Sequence, residues 1–103
     1  MKKVILILGL LITISFGATL EEATIAYNKG DYQTSKTIFE DLASKGDATA
    51  QYNLGVMYDF GKGVKQDYFK AKEWYEKAAN QGESQAQYNL GVMYDFGKGV
   101  KQD

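Results

Sequence analysis

The chain of 103 residues contains no cysteine, no histidine and no proline, and its 12 basic residues are all lysine. Each absence removes a class of function. Without cysteine there is no disulfide framework and no thiolate metal site. Without histidine the commonest general base and metal ligand is gone, and with it every Ser-His or Cys-His catalytic pair. The 12 lysines face 13 acids, so no positive excess tracks a phosphate backbone. Arginine, the best reader of phosphate and guanine, is missing, which argues against nucleic acid. A chain without proline is free to be helical over most of its length.

The first seventeen residues, MKKVILILGLLITISFG, form a separate object. Lys2 and Lys3 precede an apolar run from Val4 through Ile14, and small residues follow at Ser15 and Gly17. This is the layout of a secretory signal peptide. The run is too short for a ~30 Å hydrocarbon core, so no stable membrane span is expected after cleavage. Cleavage after Gly17 starts the mature chain at Ala18 and places it in the periplasm or outside the cell. Without cysteine, an N-terminal lipid anchor on that residue is excluded.

The stretch AQYNLGVMYDFGKGVKQD fills positions 50–67 and recurs unchanged at 86–103. The 36-residue offset from Ala50 to Ala86 also relates Asp31-Tyr32 to Asp67-Tyr68, Phe39 to Tyr75 and Gly46 to Gly82. The repeat therefore begins before the verbatim copy. Within a unit, Ala50, Leu54, Met57 and Tyr58 fall on one helical face, in a helix predicted from Ala50 to Gly61. Gly55 beside that stripe costs up to ~1 kcal/mol against alanine, and close approach of a neighbouring helix would offset the cost. Asp67 is placed to cap a second helix from Tyr68 to about Asn80, with Ala71, Trp74, Tyr75 and Ala78 inward. Ser84 and Gln87 have capping-box spacing for the next helix. Upstream, Leu20–Lys29 and Tyr32–Lys45 predict a looser hairpin with a shorter turn.

The pattern A-x-x-x-L-G-x-x-Y, then G-x-G-V-x-x-D, then K-A-x-x-W-Y-x-K-A-A-x-x-G resembles the Sel-one-like repeat of the tetratricopeptide class, in its bacterial secreted form. Ala50, Leu54, Gly55, Tyr58, Gly61, Gly63, Val64 and Asp67 carry it, with Lys70, Ala71, Trp74, Tyr75, Lys77, Ala78, Ala79 and Gly82. The resemblance implies an all-α fold, an α-solenoid of tandem helix-turn-helix repeats. The expected division is a signal peptide at 1–17, a tetratricopeptide-like hairpin at 19–46, one Sel-one-like repeat at 47–82 and a partial second at 83–103. Its surface would bind a protein or peptide partner.

Candidate chemical motifs give way to structural readings. GVMYDFGKG has the wrong spacing for a phosphate loop and follows a helix rather than a strand. Asp59 and Asp67 lack the alternating acids of a calcium loop. Glu73 and Glu76 sit among Lys70, Lys72 and Lys77, which predicts a salt-bridged exposed face. No catalytic residue, cofactor or metal ligand is assigned. An alternative is a cell-envelope hydrolase or penicillin-binding protein, because cysteine-rich relatives of this repeat class carry a β-lactamase label. That chemistry usually needs S-x-x-K, and no serine here has lysine three residues on.

The residues expected to meet a partner lie opposite the Leu54 stripe: Tyr52, Val56 and Asp59, repeated as Tyr88, Val92 and Asp95. Packing against the neighbouring repeat competes for the same side chains. The last copy stops before a second helix. Three outcomes are open for it: marginal stability, self-association through the C-terminal helix, or a longer natural product.

Overall fold

The computed structural model describes residues 17–100. The leader reading therefore lies outside the described residues, apart from Gly17. Five helices follow one another: α1 (Leu20–Asn28), α2 (Tyr32–Ser44), α3 (Ala48–Phe60), α4 (Tyr68–Asn80) and α5 (Ser84–Phe96). Each packs on its sequence neighbours, and α3 also touches α5. The result is an all-α row of hairpins, α1–α2 and α3–α4, with α5 opening the next. Among the described residues, no helix is long and apolar enough to cross a membrane.

Local chemistry fixes where the helices start. Each first turn has orphan N–H groups that a side-chain oxygen must accept. Asp31 Oδ1 accepts from Thr34 N at 3.3 Å, and Asp47 Oδ1 from Ala50 N at 2.9 Å. Asp67 Oδ1 accepts from both Phe69 N at 3.0 Å and Lys70 N at 3.1 Å. At α5 the cap is Glu83, whose Oε2 accepts from Ala86 N at 2.6 Å, with Ser84 already helical. The capping box expected from Ser84 and Gln87 is thus displaced by one residue. Asp47 and Glu83 hold equivalent places in the repeat, and an acid there serves both times.

Two hydrophobic clusters fill the interior. The first joins Ala23 of α1, Phe39 and Ala43 of α2, and Ala50, Leu54 and Met57 of α3. The second joins Ala71, Tyr75 and Ala78 of α4 with Ala86 and Met93 of α5, covered by Tyr52, Val56 and Tyr58 of α3. Helix α3 is therefore apolar on two sides. Tyr58, read from the sequence with the Leu54 stripe, belongs to the second cluster. Trp74 is half-buried against the first cluster, with Lys77 Nζ 4.6 Å from its ring centroid, whereas its neighbour Tyr75 is wholly buried in the second. A helix inside a solenoid meets a partner on either side, so adjacent residues separate into different cores.

The expected close approach at Gly55 is present. A Cβ there would overlap the ring of Tyr75. Polar contacts keep the same register from repeat to repeat. Gln51 Nε2 donates to Ala43 O at 3.3 Å, and Gln87 Nε2 donates to Ala79 O at 3.2 Å. Gln81 Nε2 adds bonds to Gly46 O at 2.9 Å and Gln51 Oε1 at 2.8 Å, fastening α4 to the turn before α3. The exposed ladder predicted on α4 contains Lys72–Glu76 at 3.4 Å.

One buried group lacks its partner. Ser35 Oγ on α2 is fully buried and makes no hydrogen bond. Its counterpart one repeat later is Ala71, also fully buried. Ser35→Ala removes an unpaired hydroxyl and installs the residue that the next repeat already uses. The expected gain is about 1 kcal/mol in urea-denaturation stability. An unchanged or lower midpoint would mean that the hydroxyl has a partner in solution.

Candidate partner-binding surface

The first helices of successive hairpins, α1, α3 and α5, stand side by side, and a cleft opens in each gap. Between α1 and α3 lies a cleft of about 140 Å³ lined by Thr24, Tyr27, Phe39, Tyr52, Asn53 and Val56. Between α3 and α5 lies one of about 230 Å³ lined by Asp59, Phe60, Tyr88, Asn89, Val92, Met93 and Lys98. The second cleft is the more open and the more polar.

Five of the six residues singled out in the sequence divide between these clefts. Tyr52 and Val56 line the first, and both are half-buried because their inner sides cover the second core cluster. The Tyr52 and Tyr75 rings are 5.9 Å apart. Asp59, Tyr88 and Val92 line the second cleft. Tyr88 is 72% exposed, far more than its twin Tyr52. Asp95 is exposed near the end of α5 and lines neither cleft.

Beneath the second cleft a hydrogen-bond relay ties three helices together. Tyr75 Oη on α4 donates to Asp59 Oδ2 on α3 at 3.0 Å, and the side chain of Asn89 on α5 hydrogen-bonds the same hydroxyl. Burial holds the Tyr75 phenol well above its ordinary range, the Asn89 bond works against that shift, and the negative Asp59 works with it. Tyr75 is accordingly a neutral donor, and Asp59 is held in place by it. The carboxylate serves as a fixed acceptor at the cleft floor.

Thr24, Tyr27, Asn53, Asn89 and Lys98 were not singled out as contact residues. Asn53 and Asn89 were legible in principle, because Y-N-L-G places a polar residue on an otherwise apolar helix in both copies. Tyr27 and Thr24 carry no such signal, since α1 has no verbatim copy. Among the described residues, no cluster of three or more acids could hold a metal ion.

Comparison with known proteins agrees with this geometry. The Sel1 repeat family model matches residues 48–83 and again 84–103. A Sel1 repeat protein from Oxalobacter formigenes superposes with a TM-score of 0.76 at 41% identity, over 82% of this chain and 35% of that one. The protein c5321, a protective antigen present in uropathogenic Escherichia coli strains and displaying the same repeat fold, superposes with a TM-score of 0.77 at 38% identity, over 82% of this chain and 19% of that one. The chain thus spans about a third and about a fifth of the length of these two structures. No curated protein sequence matches it. Repeat-family matches over 48–103, tandem hairpins in one register and a glycine seated on the tyrosine of the following helix together place the chain in the Sel1 repeat family.

Proposed function

We propose that this chain is an exported scaffold that binds another protein through the clefts between its first helices. One observation carries the reading. The cleft between α3 and α5 presents Tyr88 beside Val92, above an acceptor, Asp59, that Tyr75 holds in place. Tyrosine offers rigid apolar area with a polar tip, and an oriented acceptor at its side supplies specificity. Repeat solenoids present such surfaces because stacking leaves one face of each hairpin open. The leader at 1–17 supports export, with the partner then met in the periplasm or outside the cell.

The reading has a direct test. A photo-crosslinking amino acid is placed at Tyr88, at Tyr52, and at Glu73 on the exposed ladder, in the cell that makes the protein. Discrete adducts of one protein are expected from the first two positions and not from Glu73. Smears from all three, or no adduct, would remove the cleft reading. Once the adduct is identified, Tyr88→Ala should weaken its binding by one to two orders of magnitude, as truncation of an interface anchor does. The melting temperature should scarcely move, because the ring is mostly in solvent. Export is checked by the intact mass of envelope-fraction protein: a leader still attached would contradict it.

A further inference from the structure

Beyond the clefts, the edge formed by the turns within hairpins carries two features that folding does not require. The first is a row of lysines. Lys62 and Lys98 each precede a glycine with positive φ at the same place in successive turns (Gly63 at 72°, Gly99 at 67°), and Lys29 stands in the shorter turn before them. The register is kept by packing: Gly63 sits against Tyr32, and Gly99 against Tyr68, its counterpart one repeat later. Lys62 lies over the Tyr32 ring at 5.9 Å, and Lys98 over the Tyr68 ring at 5.4 Å.

The α3–α4 turn, the start of α4 and Lys36 of α2 enclose a cleft of about 690 Å³, lined by Lys36, Lys65 and Lys70 together with Tyr58, Tyr68 and Phe69. Its acid, Asp67, is already engaged by the Phe69 and Lys70 amides. Lys70 rests over the Tyr58 ring at 5.4 Å, and Lys36 reaches Glu40 at the outer limit of an ion pair, 4.0 Å. Among the described residues, Lys65 has no acid within ion-pair distance. On the opposite edge, where one hairpin joins the next, the caps are Asp47 and Glu83, and Lys45 is held by Asp41 at 3.1 Å. The chain is nearly neutral in sum, yet its positive charge gathers along one edge.

The second feature is aromatic. Phe60, Phe69 and Phe96 are 64%, 69% and 70% exposed, and they stand at the end of α3, the start of α4 and the end of α5. All three belong to the lysine edge. Phe39, the remaining phenylalanine among the described residues, is buried. Each exposed phenyl leaves most of its apolar surface in water. Lysines and exposed phenyl rings on one edge complement a chain that carries acids together with apolar side chains.

We infer that this edge docks an acidic segment bearing aromatic or aliphatic side chains, contributed by the protein partner. The inference rests on the partner being a protein, and it names the chemistry of the part that runs along this edge, which borders the α3–α5 cleft at Phe60 and Lys98. Nucleic acid is the weaker fit, because the chain lacks arginine and carries a slight net negative charge.

The test uses the full chain and a fluorescent peptide of alternating Glu and Phe or Leu, read by anisotropy. Saturable binding that weakens with salt is expected. The triple variant Lys36→Glu, Lys65→Glu, Lys70→Glu should bind on the order of tenfold more weakly, with its circular dichroism unchanged. Phe69→Ser should weaken binding in the same direction, whereas Tyr88→Ala should leave it intact. Equal binding by the triple variant, absence of saturable binding, or preference for single-stranded DNA or inorganic polyphosphate over the peptide would overturn the inference. The peptide assay does not involve the natural partner. Peptide binding without cleft adducts would therefore sink the cleft reading alone, and cleft adducts without peptide binding would sink the edge alone.

Discussion

Gly55→Ala is expected to destabilise the protein, whereas Gly91→Ala is not, although both glycines sit in the same eighteen-residue sequence. Alanine at either position gains up to ~1 kcal/mol of helix propensity. At position 55 the new methyl group falls on the ring of Tyr75, which is wholly buried and has nowhere to go. Overpacking of this kind costs about 1–3 kcal/mol, which offsets the propensity gain and on balance exceeds it. At position 91 no heavy atom lies within 4 Å of the added Cβ, so the propensity gain stands alone. Urea denaturation of the two single variants measures the difference, expected at about 2 kcal/mol in favour of Gly91→Ala. In a Tyr75→Leu background the penalty at Gly55 should shrink, because the atoms that clash are gone. Additive behaviour in that double-mutant cycle would show that the glycine answers to something other than the ring.

The second large effect belongs to Tyr75 itself. Tyr75→Ala empties the centre of the second cluster and should cost about 3–5 kcal/mol, enough to unfold a small domain at physiological temperature. Tyr75→Phe keeps the ring and removes only the hydroxyl that joins Asp59 to Asn89. Its expected cost is about 1–2 kcal/mol. The two variants also separate in their pH dependence. The Tyr75 phenol is raised in the folded state, chiefly by burial, above the unfolded value of about 10. Its contribution is therefore complete below pH ~10 and is lost as the pH climbs towards the folded value. Tyr27, raised by burial and by Tyr32, acts in the same sense. Alkaline denaturation should be less steep in Tyr75→Phe than in the parent. Identical slopes would mean that the hydroxyl titrates normally and that the relay does not form.

Much of this architecture could be read before any coordinates. Asp67 and Gly82 bracket α4, because a cap acid and a left-handed glycine act within one turn of the residues they serve. Gly55 pointed to a close neighbour, and Tyr75 is that neighbour. The displaced cap at α5 has the same local origin: Glu83 and Ser84 are adjacent, either has an oxygen in reach of the first turn, and only the entry direction of the chain decides between them. The clefts were harder to see. Tyr27 and Tyr52, or Phe60 and Tyr88, meet because whole helices lie side by side, and no short-range pattern encodes that distance. The sequence spacing named Tyr52 and Tyr88 as equivalent, yet their exposures differ, because among the described residues α4 and α5 follow the helix of Tyr52 and no helix follows that of Tyr88. Identical sequence leads to identical helices. It does not lead to identical neighbours.

Helix α3 supplies one side to each of the two clusters. Mechanically it is a party wall. Neither room can be dismantled without removing support from the other, so the hairpins on its two sides share one melting event rather than owning one each. A strain applied at the α1 end reaches α5 through a single rigid element.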